Sequence, residues 1–203
     1  MIQLDPHSYQ KVRPLFAPLA QHLMVDSVLS QHTIGRVYAD HTQKPQTAVI
    51  WNQMDTILFA GRADNESVNR ALRWLLLANL LPDAQARSVP GFTLIPAAPA
   101  WDVDLGEIVA GRPLIPLPRR AFKLHKQPTG AATPNSYRLH PLDETFLQQN
   151  HRHMTAVHGW IHSFWPSQAD FHHHGLGYAI THGNDVAAWC LSVYAGQDDI
   201  GPA

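Results

Sequence analysis

The stretch FHHHGLGYAITHGNDVAAWCLSVYAG, residues 171–196, decides the fold. Two apolar runs, Gly177 to Thr181 and Val186 to Tyr194, flank the turn segment HGND, and that pattern predicts an antiparallel hairpin. Gly175-Leu176-Gly177 resembles a phosphate loop at first sight, but such a loop follows a strand and opens a helix. Here the glycines precede a strand, which predicts a tight turn into it. His172, His173 and His174 fall beside Gly175, and the reading places them in that turn, where consecutive side chains diverge and cannot share one ion. Cys190 and Ser192 alternate with Trp189 and Leu191. Nothing nearby marks a partner for the thiol, so a buried structural cysteine is expected.

Upstream of the hairpin, Tyr137 to Leu139 reads as a short strand, and Asp143 as the cap of a helix holding Phe146 and Leu147. A further helix should carry Val157, Trp160, Ile161 and Phe164 before Pro166 stops it. The order is a strand, two helices, then an antiparallel pair. Before Tyr137 lies KQPTGAATPNS, whose small and polar residues suit a linker. The expected division is 1–126 as an N-terminal α/β domain, 127–136 as linker, and 137–203 as a second domain.

In the N-terminal part, Asp5 and Pro6 open a helix with Tyr9, Val12, Leu15 and Phe16 on one stripe. A second helical stretch follows toward Ser30, with Leu19, Leu23 and Val28 inward. Strands are expected over 36–39, 47–51 and 56–60, joined as a meander by short turns. Asn65 caps a helix with Val68, Leu72, Leu75, Leu76 and Leu80 on one face, ended by Pro82. Ten of the sixteen prolines lie from Pro82 to Pro141. Within that stretch GFTLIP and RRAFKLH read as strands, and WDVDLGEIV as a short helix stopped by Gly111.

Composition narrows the function. Fifteen basic and sixteen acidic residues leave a net charge of −1, so no basic excess drives binding to nucleic acid or to an anionic membrane. One cysteine in 203 residues excludes an internal disulfide and a cysteine zinc cluster. The longest apolar stretch is too short to span a bilayer, and no secretory signal is visible at the N-terminus, so a soluble cytoplasmic protein is expected. Of fourteen histidines, nine lie between His140 and His182. His158 and His162, four apart on a helix, could both reach one metal, which keeps a histidine-rich metal-binding protein as an alternative. No glutamate follows His158, so the HExxH form is absent. No GxSxG nucleophile motif is present either.

LFAPLAQHLMVDSVL, GRVYAD with KPQTAVIW, ILFAGRADNESVNRAL and residues 171–196 together resemble the GNAT superfamily, in its bacterial group that includes antibiotic self-resistance acetyltransferases. The resemblance spans nearly the whole chain in matching order. It implies an α/β fold of the α+β type: an N-terminal GNAT-like mixed domain, then a GNAT domain with mainly antiparallel strands. It also implies acetyl transfer from acetyl-CoA to a small-molecule amine. In the family, an E-I-G-I strand offers a general base, and an R-x-x-G-x-G/A turn at a helix N-terminus holds the coenzyme pyrophosphate. Asp199-Ile200-Gly201 matches the opening of that strand, which makes Asp199 the candidate base. No position carries over as a cofactor-binding residue.

The resemblance therefore implies a GNAT domain that is incomplete, truncated before the pyrophosphate loop. On that reading the chain is an acetyltransferase with impaired donor binding, a non-catalytic binding or regulatory module, or an inactive truncated product. The strand from Val186 to Tyr194 would then lie at a sheet edge and recruit a second copy of the chain.

Overall fold

The first half of the chain is built around one central strand that is buried on both faces. In the computed structural model, which describes residues 1–118, 130 and 133–196, that strand is β3 (Thr47–Trp51). It sits in a five-stranded sheet in chain order, with β1 (Ile2–Gln3), β2 (Arg36–Ala39), β4 (Thr56–Gly61) and β5 (Thr93–Pro96). The pairs are antiparallel except β4 with β5, which is parallel. Side-chain alternation assigns the two faces. Tyr38, Val49, Trp51, Ile57 and Phe59 join one core, and Val37, Ala48, Ile50, Leu58 and Ala60 join another. Each fully buried large side chain adds about 1.5–3 kcal/mol of transfer free energy.

Helices cover both faces. A 3₁₀ helix, Pro6–Leu19, and α1 (Leu23–Leu29) lie over one, delivering Tyr9, Val12, Phe16, Met24 and Val28. Pro14 and Pro18 lack the N–H that an α-helix of this span would use at those positions. Over the other face run α2 (Glu66–Trp74), a π-helical segment Leu75–Leu80, α3 (Leu81–Ala86) and α4 (Trp101–Ile108). Asn65 caps α2 as expected, its side chain accepting from the amides of Ser67 and Val68. Pro82 does not end this helix, as the sequence predicted. The wider π turn ahead of it makes room for a ring that would clash with an α-helical carbonyl, and Pro82 sits in the first turn of α3.

The second half is a three-stranded antiparallel sheet of β6 (Tyr137–Pro141), β7 (Gly177–His182) and β8 (Asp185–Leu191). Between β6 and β7 come α5 (Glu144–Leu147), α6 (Met154–Phe164) and α7 (Gln168–His174). They cover one face and form a third core with Leu142, Phe146, Val157, Ile161, Trp165 and Phe171. The two sheets share no strand, and segments cross between their layers. The Ile34 amide donates to the Phe164 carbonyl at 2.7 Å, and the Ala195 amide to Ser27 Oγ at 3.1 Å. The mixed fold with mainly antiparallel strands is the one expected.

Several local expectations are corrected. Leu23, expected inward, is exposed, because the buried stripe of its helix runs through Met24, Val25 and Val28 instead. His172, His173 and His174 form the last turn of α7 and not a free turn, since Ser167 caps that helix by accepting from the Asp170 amide. β8 stops at Leu191, short of Tyr194, because the chain leaves the sheet to dock on the first half. Cys190 is exposed and not buried. RRAFKLH and half of the 127–136 stretch lie outside the described residues.

Candidate functional site

Chemistry-bearing side chains gather at the two ends of the second sheet. At the carboxyl end of β6, a cavity of about 420 Å³ opens between the entry to α5 and the exit from α7. Its walls include Asp143, Glu144, Phe171, His172 and Tyr178. Asp143 caps α5, with Oδ1 accepting the Phe146 amide at 2.8 Å, and Glu144 accepts from Gln148 Nε2 at 3.2 Å. Both carboxylates keep lone pairs for a further donor. Gly175 and Gly177 complete the wall through close approach: a Cβ at Gly175 would meet the Phe171 ring at 2.6 Å, and one at Gly177 would meet Leu142 Cδ1 at 2.7 Å. Neither glycine has a positive φ, so packing, and not a left-handed turn, is the reason for them.

At the opposite end, beside the β7–β8 hairpin, lies a second cavity of about 430 Å³. Arg138 and His140 reach it from alternate positions of β6, Thr181 from β7, and His151 from the loop before α6. His140 Nε2 and Thr181 Oγ1 share a hydrogen bond of 3.1 Å, and His151 donates Nε2–H to Gln149 Oε1 at 2.8 Å. Phe146 stacks on both imidazoles, with ring centroids 4.8 Å from His140 and 5.2 Å from His151.

The residues singled out from sequence fall elsewhere. His158 and His162 lie on one side of α6 with ring centroids 6.4 Å apart, but His158 Nε2 is engaged by the Leu147 carbonyl at 3.1 Å. Among the described residues no group of three or more histidine, cysteine or acidic side chains is placed to hold a metal ion. Asp199 lies outside the described residues. Both cavities escaped the sequence reading. The first had a usable signal, since Ser167-x-x-Asp170 after a proline is a capping pattern that announces α7.

A coenzyme pyrophosphate needs amides at a helix N-terminus reached from a strand through a glycine turn. Among the described residues, the β4–α2 turn comes nearest, with Gly61 at φ 88°. It does not fit. Asn65 already occupies the first free amides of α2, and Asp64 and Glu66 flank them with the wrong sign of charge. Among the described residues no helix is long and apolar enough to cross a membrane.

Comparison with known proteins gives the class. The family model described as GNAT acetyltransferase matches residues 13–200, and the chain belongs to that family. A Bacillus subtilis (strain 168) protein named Uncharacterized N-acetyltransferase YdfB is 25% identical over 199 residues, covering 97% of this chain and 72% of that protein. A crystal structure of a GCN5-related N-acetyltransferase-like protein from Streptococcus suis 89/1591 superposes with a TM-score of 0.54 at 16% identity, over 94% of this chain and 72% of that one. That likeness supports the fold.

Proposed function

We propose that the chain takes part in acetyl transfer from acetyl-CoA to a small-molecule amine, and that the acceptor is seated in the cavity at the carboxyl end of β6. The family match carries the reaction class. The lining supports the acceptor site, because two carboxylates beside the Phe171 and Tyr178 rings suit an alkylammonium group. Before such an amine can attack a thioester it must lose a proton, and Asp199 is the candidate base. Acetyl-CoA is the donor on this reading. The described residues supply no cradle for its pyrophosphate, so their part in the reaction is to hold and orient the acceptor. We place the protein in the cytoplasm, a reading supported by the exposed free thiol of Cys190, which suits a reducing compartment. The side of β8 from Ala187 to Leu191 pairs with no strand among the described residues, which supports a homo-oligomer.

The test is release of coenzyme thiol from acetyl-CoA across a panel of primary amines. Glu144→Gln is expected to raise KM for the amine about tenfold with little change in kcat, as loss of a binding contact does. Absence of amine-dependent thiol release would favour a second reading, a non-catalytic binding module, which the unsuitable β4–α2 turn also supports.

A further inference from the structure

The cavity beside the β7–β8 hairpin has chemistry opposite to that of the amine pocket, and the proposed reaction makes no use of it. Its lining combines Arg138, His140 and His151 with the hydroxyls of Ser136 and Thr181, and includes no carboxylate. Among the described residues no ion pair engages Arg138, whereas nearby Arg152 pairs with Asp185 at 3.4 Å. The guanidinium therefore offers a planar fork of donors on the same strand face as His140. The cavity is also held in shape from behind. Phe146, 2% exposed, fixes the planes of both imidazoles, and Thr181, 3% exposed, anchors the His140 ring. His151 Nδ1 is buried with no hydrogen-bond partner, an uncompensated polar atom on a ring of the lining. Gly183 leaves the rim open, since a Cβ there would meet nothing within 4 Å.

We propose that this cavity is a binding site for a small molecule carrying an oxyanion, a phosphate or carboxylate head engaged by Arg138 and the two imidazoles. At about 430 Å³ it has room for more than a bare ion, within the size range of small-molecule sites. The site is distinct from the acceptor pocket, and its test is independent of acetyl transfer.

The experiment is an NMR titration of the full chain with inorganic phosphate and, separately, with acetate, each at constant ionic strength. Saturable shifts are expected at the amides of residues 136–140, 149–151 and 181–183. Arg138→Gln, an exposed change, should weaken the better oxyanion at least tenfold. His151→Gln should weaken it by a smaller factor. Saturation by phosphate assigns a phosphoryl head, and saturation by acetate a carboxylate. Saturation by neither, or an Arg138→Gln protein that binds as wild type does, overturns the proposal.

Discussion

The side-chain amide of Asn52 donates a hydrogen bond to the Tyr194 hydroxyl at 3.0 Å, joining positions 142 apart in the chain. Asn52 is 1% exposed, and its Oδ1 also accepts the amides of Met54 and Thr56, so one side chain shapes the β3–β4 turn and grips the segment after β8. Tyr194 meets Phe164 edge-on at 6.2 Å, which brings the two cores into contact at this point. The halves are thereby coupled through a buried polar contact.

Removing the hydroxyl with Tyr194→Phe leaves a buried amide donor on Asn52 without that partner. The expected cost is about 1–3 kcal/mol, the desolvation penalty of an unsatisfied group. Denaturant unfolding of wild type and variant measures it. An unchanged midpoint would show that the contact between the halves is not coupled to global stability.

The same tyrosine sets an alkaline limit. Burial, first of all, pushes its hydroxyl up to about 12 from an ordinary 10.0, and burial also raises Tyr9 and Tyr38. Between those two values the folded chain holds the Tyr194 proton while the unfolded chain releases it. The native state then binds more protons, and stability falls as pH rises. The midpoint should drop between about pH 10 and about pH 12, and Tyr194→Phe should drop less steeply over that window.

For the coenzyme, the expected outcome is weak binding. With Asn65 occupying the α2 amides and acidic neighbours beside them, the described residues offer no anion seat for a pyrophosphate. Acetyl-CoA should bind this polypeptide no tighter than about millimolar, roughly −4 kcal/mol. A micromolar dissociation constant by calorimetry would show that residues outside the described set hold the donor.

How much of this was legible beforehand follows from where the determining contacts lie. β2, β3, β4 and the β7–β8 hairpin were readable because period-two alternation and turn residues act over a few positions. Asn65 and Asp143 were found as caps for the same reason. Pro82 misled because its effect depends on a π turn that no local rule announces. Cys190 was expected inside because an apolar strand suggests two covered faces, yet the face it shares with Ala188 has no helix over it among the described residues. The cavity beside α5 and α7 left only the Ser167-x-x-Asp170 cap as a signal, and the one beside the β7–β8 hairpin left none. Arg138 and His140 meet His151 only because the loop before α6 crosses the end of β6.

Gly177 gives a local test of packing at the cavity between the entry to α5 and the exit from α7. A methyl group there would lie 2.7 Å from Leu142 Cδ1, 3.0 Å from Leu191 Cβ and 3.1 Å from the Cys190 carbonyl. Two of those neighbours belong to the adjacent strand and cannot simply swing aside. Gly177→Ala should cost about 1–3 kcal/mol by overpacking, read as a lower denaturant midpoint. Gly183→Ala is the contrasting case, with open space around the Cβ but a φ of 59°, so its smaller cost would come from the backbone alone.

The last prediction concerns the edge of the second sheet. In the order β6-β7-β8, strand β8 bonds to β7 on one side and to no strand among the described residues on the other. The expected edge is shorter than the sequence suggested, because Tyr194 and Ala195 are held by Asn52 and Ser27. At its start Arg152 bridges Asp185, accepting the Val186 amide at 3.1 Å and donating to the Asn184 carbonyl at 3.0 Å, so what stays open among the described residues runs from Ala187 to Leu191. Val186, Trp189 and Leu191 pack inward on the third core, while Ala188 and Cys190 face out without a charge to repel a partner. Beside them on the same face, Leu139 and Tyr178 are 54% and 48% exposed. An unpaired strand next to an apolar face pairs readily with another copy of itself. Light scattering should therefore report a dimer or larger species in the micromolar range, under reducing conditions that exclude a Cys190 disulfide. Ala188→Lys places a charge on that edge without disturbing the core and should return the protein to a monomer. If wild type scatters as a monomer at every concentration, β8 is covered, and the oligomer through this edge is refuted.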